Sequence, residues 1–525
     1  HAHRRAGRRR LSDSIGIAKP RSAGWRVHGA ALVTGAALSL AFAPFGFWPL
    51  AIVAPAILFG LWQGVSPRRA ASLGFAFGCG TFAAGTYWLY VSINGFGKAP
   101  IWLALGLMAA LVIVMASYHA LLGYVANRLM PERGAMRWLV GLPAGWALLE
   151  WVRGWFLSGF GWLSLGYSQT DAWLAGWAPV GGVYVLSSLL TMMAGALVMW
   201  RVEGRRALRI VIPVLVLPWI AGFSLMRIEW TEASGAPVDV AIVQGAIPQD
   251  QKWLADNREE SLRRYRDLTL SALGTPLIVW PEAAAPDLAN NIVPYLNDLA
   301  DAARQRGSSL LLGLIRAEPG ELDEQGEPRV DYFNSILALD ENVAWYDKHH
   351  LVPFGEFFPV PEAVRRWMRL MNLPYSDFSR GAAQQSPLRI AGLALSASIC
   401  YEDAYASSQI VSARESTALV NVTNDAWFGR STARHQHLQI SRMRAIEAQR
   451  FLIRAANDGI SAVIGPRGEF VARAADFEAV VLRATVTPRS GTPPYLQFGN
   501  LPFLVWVVFG VLAALWVGRR KLNSI

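Results

Sequence analysis

A chain of 525 residues with 53% hydrophobic residues, only 17% charged residues and 22 tryptophans is too apolar for an ordinary soluble protein, and membrane spans are expected. The net charge of +11 conceals a division: residues 236–495 carry −5 and the remainder +16, so the basic excess belongs to the apolar part and argues against a nucleic-acid surface. Two distant cysteines, Cys79 in an apolar run and Cys400, argue against a disulfide framework; with no zinc-type Cys/His spacing and no P-loop, neither a metal nor a cofactor is expected.

Residues 1–26 (HAHRRAGRRRLSDSIGIAKPRSAGWR) are a basic tail resembling the n-region of a signal peptide. Apolar runs follow at once, so the first reads as a retained signal anchor. Spans are predicted over 27–43, 47–64, 71–92, 101–127, 137–153, 178–200 and 208–226, with an eighth at 501–518. Each is near the roughly 20 residues needed to cross the hydrocarbon core, and the shortest, 47–64, is open to a re-entrant reading. With the first segment cytoplasmic, 20 basic residues fall inside, and only Lys98, Arg153 and Arg227 fall in outer membrane loops. That asymmetry puts both termini inside and residues 228–500 on the outer side. The expected domains are a cytoplasmic tail (1–26), a membrane domain of about seven spans (27–227), an outer domain (228–495), and a last span with a basic tail (496–525).

The outer segment changes character. Strand-like runs stand at 238–244 (VDVAIVQ), 276–280 (PLIVW), 309–315 (SLLLGLI), 335–339 (SILAL), 393–399 (LALSASI) and 417–424 (TALVNVTN). Helical spacing appears at 290–306 and 435–456. Strands alternating with helices predict an α/β domain of about 260 residues. The Pro-rich, apolar stretch 353–392 is an odd surface loop, better suited to a lid or a lipid-contacting arm. Its part 353–380 is expected to gate the site, bounded by Gly355 and the prolines at 353, 359 and 361, with Arg365, Arg366 and Arg369 suited to lipid phosphates. The alternative is a flap packed permanently on the sheet.

Three reactive residues stand at strand ends: Glu282 after IVWP, Lys348 after VAWYD, and Cys400 after LALSASI. Strand ends of an α/β sheet are where distant side chains meet in one crevice. The set suits acyl transfer: a thiolate nucleophile, a carboxylate to carry its proton, and an ammonium to hold an oxyanion. Each taken singly also has a bland reading, as a packed cysteine, a solvated cap and a surface lysine.

Residues 278–283 (IVWPEA), 346–356 (YDKHHLVPFGE) and 398–403 (SICYED) resemble the three signature segments of the nitrilase (carbon–nitrogen hydrolase) superfamily. The resemblance covers about 238–490. It implies an αββα sandwich with Glu282 as general base, Lys348 as oxyanion and orienting residue, Cys400 as nucleophile, and Glu356 as an additional carboxylate. The eight spans, together with 146–169 (WALLEWVRGWFLSGFGWLSLGYSQ), 243–253 (VQGAIPQDQKW), 349–359 and 421–429 (NVTNDAWFG), resemble the membrane-embedded apolipoprotein N-acyltransferase family within it. The implied fold is a polytopic α-helical membrane protein with an inserted nitrilase-like domain.

That resemblance implies transfer of an acyl chain from a membrane phospholipid, through a Cys400 thioester, to the α-amine of a diacylglyceryl-cysteine on an apolipoprotein. The partners implied are these two lipids and the bilayer, for a monomer in the bacterial inner membrane with its catalytic domain periplasmic. Trp253, Phe357, Phe358, Phe160 and Trp162 are candidates for a dry lipid pocket, or else interfacial and core aromatics. The Tyr401 N–H is a second oxyanion donor; Glu402 either orients an amine or makes a structural hydrogen bond. Asn421, Asn424 and Asp425 are expected to shape the site. A membrane-anchored amidase or nitrilase acting on a small substrate is the main alternative. A transporter with a regulatory outer domain is disfavoured, because Glu150 and Arg153 are nearly the only ionisable residues in the spans. A catalytically dead module is disfavoured because all three reactive residues are present.

Overall fold

The computed structural model describes residues 24–322, 328–357 and 378–522. The apolar runs before residue 227 form helices α1 (Gly24–Leu38), α2 (Leu50–Leu61), α3 (Pro67–Gly85), α4 (Ile101–Leu129), α5 (Leu142–Arg153), α6 (Ala178–Glu203) and α7 (Leu208–Leu225). Three stretches are long and apolar enough to cross a membrane: Ile101–Leu129, the run Trp173–Leu225 that holds α6 and α7, and Leu501–Arg520 near the C-terminal end, with mean hydropathies of 2.2, 2.0 and 2.3. The others are shorter than the sequence suggests. The stretch 71–92 starts early, at Pro67, where the Ser66 side chain caps the turn, and it stops at Gly85. The stretch 137–153 opens with a π turn, Met136–Gly141, before α5 begins. Small residues let α3 pack closely: a Cβ at Gly78 would meet Ala116 of α4 at 2.6 Å.

The expected strands form. One six-stranded sheet has the order β12-β1-β2-β3-β4-β5, where β1 is Val238–Gln244, β2 Leu277–Val279, β3 Ser309–Leu322, β4 Pro328–Leu339, β5 Val343–Asp347 and β12 Val480–Val486. The other has the order β11-β10-β9-β8-β7-β6, where β6 is Leu388–Ile390, β7 Leu393–Ile399, β8 Ala418–Thr423, β9 Leu452–Ala456, β10 Ala462–Ile464 and β11 Phe470–Arg473. Strands β1–β3 run parallel, as do β7–β9, and the outer pairs are antiparallel. The sheets face each other through Val240, Ile242, Val279 and Ile336 on one side and Leu395, Ala397, Val420 and Ile453 on the other. Helices α8 (Arg258–Ala272) and α9 (Val293–Gln305) cover the first sheet through Leu262, Tyr265, Leu296 and Leu299. Helix α10 (Ala433–Ala448) covers the second through Leu438, Ala445 and Ala448, which completes an αββα sandwich. A two-residue ribbon pairs Glu232–Ala233 with Arg489–Ser490 where the chain enters and leaves this domain, before the last helix α11 (Leu501–Leu522).

The helical pattern at 435–456 ends earlier than expected. Gln449 adopts a left-handed φ of 46°, α10 stops at Ala448, and the apolar run LIRAA becomes β9 in a buried sheet position.

Helix α10 joins the two domains. All its residues but His435 and Arg442 are buried, because its second face packs on the membrane helices through Ala433, Ile440, Met443 and Ile446. Its polar groups find partners across that boundary. Gln436 accepts from Trp162 Nε1 at 2.6 Å, and Gln439 accepts from the Ala43 N–H at 3.1 Å. Glu447 accepts from the Val183 N–H at 2.8 Å, just past the break in α6 at Gly182 (φ 71°).

Candidate active site

Glu282, Lys348, Cys400 and Asn424 follow the ends of β2, β5, β7 and β8; Glu282 contacts both Lys348 and Asn424, and Cys400 feels the charges of Glu282 and Lys348, so the three residues singled out from the sequence meet in one site. Cys400 directly follows β7 and holds a left-handed φ of 53°, where a side chain is strained unless its surroundings fix it. The Asn421 amide fixes its carbonyl, donating at 3.2 Å, and His437 Nε2 lies 3.1 Å from the same oxygen. Burial pushes the Cys400 thiol well above its ordinary pKa, and the Glu282 carboxylate adds to that; Lys348 and a hydrogen bond with Thr423 only partly oppose them. The resting group is therefore a neutral thiol that needs a base.

Glu282 and Lys348 are almost fully buried. Lys348 Nζ donates to Glu356 Oε1 at 2.8 Å and lies 3.3 Å from Glu282 Oε1. Burial opposes its charge, but Glu356 and Glu282 outweigh that and hold the ammonium well above its ordinary pKa. Glu282 Oε2 accepts from the Asn424 N–H at 2.9 Å, which aims the carboxylate along the end of β8. Glu356 Oε2 accepts from the Val352 N–H at 2.9 Å and so folds the segment after Lys348 back on itself.

Asn334, on β4, escaped the sequence reading. Its Nδ2 donates to Glu282 Oε1 at 2.7 Å and to Glu356 Oε1 at 2.9 Å, so one amide ties both carboxylates around the ammonium. Its only sequence signal was an amide interrupting the apolar run that becomes β4. Lys252 and Asp458 were missed too. Both are buried near Glu282, and among the described residues Lys252 Nζ and Asp458 Oδ1 have no hydrogen-bond partner. Burial brings the Lys252 pKa down to about 8, against the pull of Glu282 and Asp458.

Glu402 is fully engaged. Oε1 accepts from the backbone N–H groups of His349 (2.8 Å) and His350 (3.0 Å), and Oε2 from the Ile399 N–H and the Tyr346 hydroxyl (both 2.9 Å). Four donors on one carboxylate bind the Lys348 segment to the Cys400 turn, the structural hydrogen bonding expected as one of the two readings of this residue. His350 is stacked on Tyr405 at 4.2 Å, and burial lowers its pKa to about 4.

The loop after α5, from the membrane domain, packs on the Cys400 turn. Arg153 donates to the carbonyls of Phe160 (2.8 Å) and Trp162 (2.5 Å) and so shapes the loop after α5. Gly161 passes so close to the Cys400 turn that a Cβ there would meet the Ala404 carbonyl at 2.9 Å. The hydroxyls of Tyr401 and Tyr405 donate to the Gly159 and Ser158 carbonyls. Trp162 is buried and stacks on Phe160 and Tyr401 at 6.4 and 6.0 Å. Trp253 instead is half exposed, and Phe357 packs under Arg380 at 5.1 Å. Phe358, and residues 358–377 of the expected gating arm, lie outside the described residues.

The chain is similar along nearly its whole length to known acyltransferases. The sequence model of the apolipoprotein N-acyltransferase N-terminal domain matches residues 34–196, and that of carbon–nitrogen hydrolase matches 239–492. An apolipoprotein N-acyltransferase of Vibrio cholerae is 40% identical over 502 residues, 94% of this chain and 97% of that one. One from Azotobacter vinelandii is 41% identical over 484 residues, 91% and 93% of the two chains. The chain belongs to the apolipoprotein N-acyltransferase family. As such it is a membrane acyltransferase of lipoprotein maturation, built on the nitrilase superfamily. Among solved structures, a carbon–nitrogen hydrolase from Helicobacter pylori G27 aligns over 53% of this chain and 94% of its own, at 16% identity and a TM-score of 0.35.

Proposed function

We propose that this apolipoprotein N-acyltransferase works through a Cys400–Glu282–Lys348 triad in two half-reactions. In the first, Glu282 takes the thiol proton and the thiolate attacks an ester carbonyl of a membrane phospholipid. The Lys348 ammonium and the Tyr401 N–H receive the oxyanion. The C–O bond then breaks, Glu282 returns the proton to the departing glyceryl oxygen, and lysophospholipid leaves behind a thioester. In the second, the neutral α-amine of a diacylglyceryl-cysteine attacks the thioester. Glu282 takes the amine's proton, the C–S bond breaks, and the proton returns to the thiolate. The product is an N-acylated lipoprotein.

The reading rests on one observation above others: in a chain of this family, Cys400 stands at the end of a strand beside the buried pair of Glu282 and Lys348, whose charged groups lie 3.3 Å apart. Glu356 and Asn334 hold the ammonium and base in register, and Glu402 positions the two catalytic segments on each other. Trp162 and Phe160, with Trp253 and Phe357, exclude water so that the thioester waits for the amine.

The wider arrangement follows the same reading. On that reading the eight apolar segments that hold α1–α7 and α11 are the spans, the shorter helices crossing together with their flanking turns, with domains at 1–26, 27–227, 228–495 and 496–525; the ribbon at 232–233 and 489–490 supports the inner boundaries. The basic asymmetry supports an inner-membrane protein with a periplasmic catalytic domain and cytoplasmic termini. The test is transfer by the Glu282→Gln and Lys348→Ala variants in phospholipid vesicles. Losses of about a hundredfold or more in each are expected, and they do not add in the double variant. Near-normal transfer by either variant contradicts its assigned role.

A further inference from the structure

Behind the nucleophile lies a buried charge cluster that the mechanism above does not use. His437, on α10, has each ring nitrogen against a carboxylate: Nδ1 is 2.8 Å from Asp425 Oδ1, and Nε2 is 3.0 Å from Asp403 Oδ1. Two ionised carboxylates can only accept, and facing them each ring nitrogen carries hydrogen, which makes the ring an imidazolium in that state. Arg454, on β9, donates to Asp425 Oδ2 at 2.9 Å, to Asn421 Oδ1 at 2.7 Å and to Ser441 Oγ at 2.7 Å; its Nη2 also lies 3.0 Å from His437 Nδ1. Two carboxylates and two cations make the cluster neutral overall, which is how four buried ionised groups persist together. Burial works against the imidazolium, but Asp403 and Asp425 prevail over it and over Arg454, and raise the pKa of His437 to about 9.

The cluster meets the Cys400 turn twice, through Asp403, which stands three residues after the nucleophile in the same turn, and through the Cys400 backbone. His437 Nε2 lies 3.1 Å from the Cys400 carbonyl, and Asn421, oriented by Arg454, donates to the same oxygen at 3.2 Å. On its other side the imidazolium meets the membrane domain. The Trp162 ring lies 5.6 Å from it, and Trp162 Nε1 donates to the neighbouring Gln436. The chain of contacts therefore runs from a membrane loop through one charged ring to the strained nucleophile.

We propose that His437 is a positioning residue for the acyl transfer: its imidazolium holds the left-handed backbone of Cys400 and ties that geometry to the docking of Trp162 from the membrane domain. The proposal rests on Cys400 being the nucleophile. It gives α10 a role beyond covering a sheet, because the membrane domain then sets the nucleophile's geometry as well as anchoring the enzyme. Removing the ring relaxes Cys400 without removing any group that meets a lipid, so the rate of thioester formation falls while binding of the donor does not.

The test uses the full-length protein in vesicles of phosphatidylethanolamine and phosphatidylglycerol, following lysophospholipid release in a single turnover against donor concentration. His437→Gln is expected to lower the maximal rate by about 10- to 100-fold, the size expected for a lost charge-assisted hydrogen bond, with the half-saturating donor concentration unchanged. Gln436→Ala leaves both ion pairs intact and loosens only Trp162, and it is expected to lower the same rate by roughly 3- to 10-fold. It decides the matter if His437→Gln does not fold. A maximal rate within about twofold of wild type in either folded variant, or a loss confined to half-saturation, overturns the proposal. Cys400→Ala is run beside them: a burst that survives there refutes Cys400 as the nucleophile, a different failure.

Discussion

Glu447 of the catalytic domain and Val183 of a membrane helix are joined by a hydrogen bond of 2.8 Å, from the Val183 N–H to Glu447 Oε1. The Gly182 break leaves that N–H without its place in α6, and a carboxylate from another domain satisfies it. Arg444, one turn earlier on α10, pairs with the same carboxylate at 3.0 Å. The catalytic domain is thereby fixed to the membrane helices by groups that are costly to leave unpaired.

Glu447→Ala is accordingly expected to destabilise the whole enzyme. It leaves the Arg444 guanidinium buried without its carboxylate and the Val183 N–H without its acceptor, a loss of roughly 3–5 kcal/mol. The thermal midpoint in detergent should fall, and protease cleavage near residues 228–236 should quicken. An unchanged midpoint contradicts the docking argument.

The shared amide of Asn334 predicts a graded series. Asn334→Ala removes a hydrogen bond from each carboxylate and should reduce acyl transfer by about tenfold. Asn334→Asp puts a third negative charge against Glu282 and Glu356 and should reduce it further, by about a hundredfold or more. Transfer assays on both variants check the order; an Asp variant more active than the Ala variant contradicts it.

Lys252 predicts a pH-dependent stability. Its pKa is about 8 in the folded protein, against an ordinary 10.5, so the unfolded chain binds the extra proton between those values. The penalty is present in full below about pH 8 and vanishes as pH rises through the ordinary lysine range. Lys252→Met should therefore stabilise the protein at pH 7 by up to roughly 3 kcal/mol, with the gain shrinking toward pH 10. Thermal melts across that range check it, and a gain that grows with pH reverses the sign and sinks the argument.

The topology is tested by labelling single cysteines in a cysteine-free background. Positions 235 and 490 should react with an impermeant reagent from the periplasmic side, and positions 66 and 520 should not. Reaction at 520 from that side removes one span.

Much of this was legible in the sequence because the signals were local. Period-two apolar residues in LALSASI placed β7 and left Cys400 at its end. Apolar runs marked the helices, but their ends depended on context: the left-handed Gln449 that ends α10 has no sequence mark, so LIRAA was read as more helix. The signature segments pointed to Glu282, Lys348 and Cys400, which the fold brings together, but not to what holds them. Asn334 reaches Glu282 across 52 positions, and Glu402 reaches His349 across 53. Helical spacing marked α10 but not its surroundings: its polar residues are buried against the membrane helices and the Cys400 turn. Those contacts exist only once two sheets and a membrane domain have come together.

The central claim is a thioester on Cys400. Protein in vesicles, supplied with phospholipid and no acceptor, is digested and its peptides weighed by mass spectrometry. The account predicts one acyl chain on the peptide containing Cys400, and its transfer to the amine when a diacylglyceryl-cysteine peptide is added. An acyl chain found elsewhere, or acceptor acylated at the normal rate by Cys400→Ala, contradicts it.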